Sequence, residues 1–260
     1  MKRSEIVKLR ASEISLIRKR ADSFVKGIQK EGLSAILMSG SVARGDFFPG
    51  KLGGMTDLTV FKKPGSSATA EELFGKNEDP DIPYHCVKRK GDWYQIWFIE
   101  MPNAEGYKRL PEARKYALKE SILLWEDDDS YSQANSRFNR IAAEETRAAF
   151  GARLNGISYL LSEYKVDRWQ RRNEPGQLHF NLNAAIDIAI GCLYNLNGKY
   201  TPAPDRALYY SYELDKQPPS YEQLLQKLMD IKLDSIANYK GREQLFKAEF
   251  LKFLSESEPI

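Results

Sequence analysis

The sequence predicts an α+β chain in two parts, and three observations predict it. Short apolar runs bounded by Gly and Pro are confined to the first half. The acidic run Glu126-Asp127-Asp128-Asp129 marks a change of character. Beyond it, apolar residues recur only at helical spacing. A boundary at Asp129 therefore separates a sheet-containing part, residues 1–129, from an all-helical bundle, residues 130–260.

The elements follow in order. Ile6, Leu9, Ile14, Ile17, Phe24 and Ile28 share one face of a helix expected over residues 4–31 and ended by Gly32. Residues 33–38 are a buried strand stopping at Ser39-Gly40-Ser41. Pro49, Gly50, Gly53 and Gly54 make a loop before a second strand over residues 57–62. The Pro- and Gly-bearing residues 63–82, with Pro83 just beyond, read mostly as loop, with one helical turn over 69–74. Residues 84–89 and 93–99 form a hairpin around Lys90-Gly91-Asp92. A helix opened by Pro111 extends to Glu120, and residues 121–125 give the last strand. Together these make a small mixed sheet with flanking helices. In the second half, helices are expected over residues 131–165, 177–197, 220–238 and 242–254, the second apolar nearly all round and therefore central.

Composition narrows the function. A net charge of +3 on 260 residues, 29% of them charged, argues against a dedicated nucleic-acid surface. Cys86 and Cys192 lie far apart, form no metal-ligand pattern, and read as buried thiols of an intracellular, cytoplasmic chain. Residues 1–30 carry no apolar stretch of the signal-peptide kind. The longest apolar stretch, residues 184–196, is interrupted by Asp187 and Asn195 and is too short and polar to span a bilayer.

Chemistry concentrates in Met38-Ser39-Gly40-Ser41-Val42-Ala43-Arg44-Gly45-Asp46 and in Met55-Thr56-Asp57-Leu58-Thr59-Val60. Glycine lets a backbone approach phosphates closely. Ser41 and the following N–H groups can donate to phosphate oxygens, and Arg44 can neutralise them with forked donors. Asp57 and Thr59, two apart on a strand, share a face. These segments resemble the signature of the polymerase-β-like nucleotidyltransferases, a superfamily that includes the aminoglycoside nucleotidyltransferases. The segment Tyr116 to Trp125 resembles the helix-to-last-strand stretch of the same proteins, and the likeness covers residues 1–126. It implies a nucleotidyltransferase fold, Mg²⁺ and a nucleoside triphosphate, ATP foremost. It also implies transfer of a nucleoside monophosphate to a hydroxyl of a small-molecule or protein acceptor lying between the two halves. Nucleic acid and membrane are not expected partners.

The chain departs from that signature where metal binding is concerned. The family pairs two acids separated by one apolar residue, whereas here Asp57 is followed by Thr59, a poor ligand for Mg²⁺. The third acid belongs on the strand of residues 93–99, where the mid-strand candidate is Gln95; Glu100, at the strand end, is the nearest acid. Asp57 and Glu100 are thus the expected catalytic and metal residues, and Gly40, Ser41, Arg44 and Thr59 the nucleotide-binding ones. In the second half, Asn195 to Pro202 and Pro204-Asp205-Arg206 resemble a stretch of bacterial nucleotidyltransferase-like proteins. His179, Asn183 and Asp187 form one polar stripe at i, i+4, i+8. With Lys199 they are candidates for substrate contact; the competing reading is a buried network completed by Arg171 or Arg172. The alternative to catalysis is a nucleotide-binding sensor or partner protein of the same fold, and a more distant one is an interaction module.

Overall fold

In the computed structural model the protein is described over residues 3–49 and 54–259. The chain divides into two compact units, Met1–Asn139 and Arg140–Ile260. The first is α+β. Helix α1 (Arg3–Lys26) leads to strand β1 (Leu33–Ser39), the short helix α2 (Gly40–Arg44) and strand β2 (Met55–Lys62). Helix α3 (Ala70–Phe74), the hairpin β3 (His85–Arg89) and β4 (Asp92–Glu100), helices α4 (Ala104–Arg109) and α5 (Glu112–Lys119), and strand β5 (Ile122–Glu126) complete it. The sheet order is β3-β4-β2-β1-β5. All pairs are antiparallel except β2 with β4, so the sheet is mixed, as expected.

Burial explains the order. β1 is buried along its whole length because it sits inside the sheet with both faces covered. On one face, Ile36, Met38, Leu58, Val60 and Ile96 pack with Ile14, Ile17, Ala21 and Val25 of α1. Alternation sends Leu37, Ser39, Asp57, Thr59, Phe61 and Gln95 to the opposite face, where Phe61 stacks on Tyr131 with centroids 5.9 Å apart. Lys90 and Gly91 have φ of 50° and 90°. Two positive values in succession make the two-residue turn whose twist suits a hairpin.

Several boundaries differ from expectation. α1 stops at Lys26 rather than near Gly32, because Lys30 Nζ folds back and donates to Val25 O at 3.0 Å and Ile28 O at 2.9 Å. Val25 O also accepts from Ile28 N at 3.2 Å, so the chain leaves the helix through a tight turn that the lysine braces. α4 was not anticipated; its start is fixed by Asn103, whose side chain accepts from Gly106 N at 2.8 Å. The glycine-rich loop before β2 lies in part outside the described residues.

The second unit is helical, and among the described residues it contains no strand. Helix α6 (Ser130–Leu160) begins in the first unit. It stops short of residue 165, and α7 (Glu163–Arg171) follows. Then come α8 (Pro175–Leu196), α9 (Pro204–Ser211), α10 (Tyr221–Leu228) and α11 (Ile236–Leu245). A π-helical stretch, Phe246–Leu251, and α12 (Lys252–Ser255) extend α11. The single helix expected over residues 220–238 is broken at Leu228. Asn238 Nδ2 donates to Asp230 O and Ser235 Oγ accepts from Asn238 N, both at 3.1 Å, so this turn is built by side chains. No helix among the described residues is long and apolar enough to cross a membrane. Both cysteines are buried and free, as the sequence reading held.

Candidate functional site

The site begins where β1 ends. Ser39 is extended, Gly40 turns the chain with φ of 67°, and α2 starts at once. β2 runs antiparallel beside β1 with Asp57 opposite Ser39. The Asp57 carboxyl therefore lies against the Gly40 backbone. A Cβ at residue 40 would sit 1.8 Å from Asp57 Oδ2 and 2.7 Å from its Cγ. Glycine is required here twice over, by the positive φ and by the carboxylate above it. The far end of α2 is held by Arg18, whose Nε donates to Val42 O at 2.9 Å and Nη2 to Ala43 O at 2.6 Å. A cation at a helix C-terminus is favourably placed. The sequence thus anchors the Gly40–Ser41 turn from both sides.

The sheet register decides what stands around Asp57. In the parallel β2–β4 ladder Asp57 pairs with Gln95, and Thr59 with Trp97. Gln95, neutral, is the neighbour on this face. Glu100 pairs with Lys62, an odd number of positions along, and so belongs to the opposite face. Roughly 16 Å of strand separates its row from that of Asp57. Its carboxylate lies 3.8 Å from Lys62 Nζ. The expectation that Glu100 joins Asp57 at a metal is therefore corrected by strand geometry. Thr59 is 3% exposed and shares a 3.3 Å hydrogen bond with Ser39. It fills the space under the turn rather than presenting a ligand. Among the described residues, no group of three or more His, Cys, Asp or Glu is arranged to hold a metal ion. A pair of Mg²⁺ ions does not fit this donor set, because two divalent charges need more than one carboxylate.

Arg44 is also placed otherwise than expected. Its side chain is 3% exposed, with Nε 3.5 Å from Asp46 Oδ1. Asp46 is equally buried and meets Arg3 Nε at 3.1 Å. Arg44 thus helps to tie α2 to the start of α1. Ser41, half-buried, and Gly40 remain at the turn itself.

No protein-family model matches the chain, and no curated protein matches its sequence. Among solved structures it is similar to a nucleotidyltransferase-like protein from Exiguobacterium sibiricum 255-15. The two share 11% identity at a TM-score of 0.35, over 90% of this chain and 73% of that one. So loose a likeness leaves the chemistry to the residues themselves.

The Asp57 face also carries Arg114, which the sequence did not single out, and Cys86, which it read only as a buried thiol. Arg114 of α5 lies over Trp97 of β4, its guanidinium carbon 4.7 Å from the ring centroid, and 5.0 Å from that of Tyr84. It also hydrogen-bonds the Tyr84 hydroxyl. Two π-faces and a hydroxyl hold this cation in place. Its role depends on how α5 packs on the sheet, which no local pattern encodes. Cys86 pairs with Gln95 on the same face. Burial, and after it the charges of Asp79 and Asp57, push its thiol up from the usual range, which disfavours the thiolate.

In the second unit the polar stripe on α8 is split. His179 is fully buried; its Nδ1 meets Arg242 Nη1 and its Nε2 lies 3.3 Å from Ser235 O. Arg242 also donates to Asn183 Oδ1, and through Nε to Leu228 O at 2.7 Å. The imidazole is accordingly neutral, with the proton on Nε2. Burial, helped by the charge of Arg242, holds its pKa below the ordinary value, against the pull of its backbone partners. His179 and Asn183 are thus joined in a buried network, and its cation is Arg242 rather than Arg171 or Arg172. Arg171 instead pairs on the surface with Asp167 at 2.8 Å. Asp187 and Lys199 are exposed and outside the network.

Proposed function

We propose that this chain uses a nucleotidyltransferase-like scaffold to bind the phosphates of a nucleotide, ATP foremost, without transferring the nucleotidyl group. What supports the fold is the arrangement of the motif: an apolar strand, a Gly-Ser turn, a short helix, and an acid on the adjacent strand lying over the glycine. The observation that carries the loss of transfer is the pairing of Asp57 with Gln95. With Thr59 buried and Glu100 on the other face, one carboxylate stands where in-line displacement calls for a metal-binding cluster. Ser41 and the backbone N–H groups of the turn donate to phosphate, and Arg114 supplies the positive charge on the same face. Such a protein senses nucleotide or presents it to a partner.

The retained Asp57 favours a second reading, Mg²⁺-dependent transfer of a nucleoside monophosphate to a small-molecule or protein hydroxyl. Calorimetry with ATP separates the two. Without a metal, the Asp57 carboxylate repels phosphate, so Asp57→Asn tightens binding in EDTA by about threefold to tenfold, the scale of one like charge near the surface. Ser41→Asp weakens it by a similar factor. Binding that requires Mg²⁺ and is lost in Asp57→Asn would instead mark a working metal–nucleotide site, and an acceptor screen would then decide for transfer. Absence of any nucleotide binding would sink both.

A further inference from the structure

A cavity of about 630 Å³ lies on the α1 side of the sheet, among α1, α3 and the β3–β4 hairpin. It is away from the Asp57 face, because Tyr94, which lines it, belongs to the core under α1. Its wall is aromatic: Phe24 lies 4.4 Å from Tyr94 and 6.3 Å from Phe74, centroid to centroid. Phe74 and Tyr94 are buried, while Phe24 is half-buried toward the opening. The volume lies within the usual range for small-molecule sites, which are mostly apolar with a few placed polar groups.

The charges at its rim are unequal. Four cationic side chains, Lys19, Arg20, Arg89 and Lys90, stand against two acids, Glu72 and Asp92. One acid is cancelled by one of the cations and the other keeps its charge, so Lys19, Arg89 and Lys90 outweigh Glu72. Glu72 accepts from the backbone and hydroxyl of Thr69 at 3.0 Å and 2.9 Å, capping α3. Asp92 is paired with Arg20 at 2.7 Å. Arg89 is held by the carbonyls of Phe74 and Lys88, which leaves its positive charge uncancelled at the rim. Lys19 and Lys90 are exposed at the opening. An apolar pocket below a cationic rim selects a flat ring that carries an anionic group: the ring lies against Phe24, the accessible aromatic of the wall, while the anion meets the lysines.

We infer that this cavity is a binding site for a small planar aromatic acid, separate from the Asp57 face and independent of the function proposed for it. Naphthalene-2-sulfonate is the probe, and the neutral naphthalene-2-sulfonamide its control, both titrated by calorimetry into the full chain. The sulfonate binds about tenfold more tightly than the sulfonamide, as expected for one well-placed charge contact. Its amide chemical-shift changes centre on Phe24 and Tyr94. Ser23→Trp, which fills the opening from the exposed surface of α1, lowers affinity for both probes by about tenfold or more. The double reversal Lys19→Glu and Lys90→Glu lowers affinity for the sulfonate alone, and Asp57→Asn changes neither. Equal affinity for the two probes overturns the inference. So does binding that survives both sets of substitutions in variants with unchanged melting, and so does the absence of saturable binding.

Discussion

The Gly40–Asp57 turn and the His179–Arg242 cluster both gather polar side chains and differ in how deeply they bury them. In the cluster the polar groups serve one another: Arg242 serves Leu228, His179 and Asn183, and His179 serves Ser235. At the turn a half-buried carboxylate lies against a glycine, with a neutral amide as its neighbour across the ladder. A network closed on itself stabilises a fold and has little left to offer a ligand. The Asp57 carboxylate is only half-buried and stands at the mouth of a glycine turn. Chemistry-bearing residue types therefore say less about function than where the fold places them and how deeply it buries them.

The largest way to test this contrast is Arg242→Ala. It strands three acceptors in a buried place, and unfolding in urea should show a loss of about 3–5 kcal/mol. A loss below about 1 kcal/mol would mean that water replaces the guanidinium and that the cluster is open after all. Next comes Gly40→Ala, which forces a side chain into the left-handed region and against Asp57. The expected cost is about 2–3 kcal/mol. In an Asp57→Gly background the part due to the carboxylate should vanish, a coupling that a double-mutant cycle reads directly.

A smaller effect is expected from pH. The folded-state pKa of His179 lies below its ordinary value of 6.5. The folded protein therefore binds fewer protons than the unfolded chain once the pH drops below that value. Stability from this source is full above it and is lost as the pH falls toward the folded-state pKa. His179→Gln should flatten that part of the curve. The smallest effect sharpens the other side of the comparison. Gln95→Glu places a like charge beside Asp57 and should cost about 1 kcal/mol in EDTA. Millimolar Mg²⁺ should restore the melting temperature, and failure to do so would show that the two carboxylates point apart.

Much of the sheet was legible in the sequence. Apolar runs marked β1, β2 and β4, and Lys90-Gly91 marked the hairpin, because period and turn chemistry are local. The Gly-Ser turn was legible for the same reason. Arg44 was not, since its burial depends on Asp46 and on Arg3 at the far end of α1. Nor was Arg242, which reaches His179 from a helix distant in sequence. The break at Leu228 escaped because it is set by hydrogen bonds of Ser235 and Asn238 rather than by Gly or Pro. Glu100 is different. Its odd offset from Gln95 already assigns the two to opposite faces, so strand period alone was enough to separate them.

The Asp57–Gln95 rung has a consequence in the language of codons. Glutamine and glutamate codons differ only in their first letter, while threonine and aspartate codons differ in at least two. A single base change at residue 95 would set a second carboxylate next to Asp57 on the same face of the same ladder. Acidity at this site is therefore quickly gained or lost by mutation, whereas Thr59, buried against Ser39, is the slower lock.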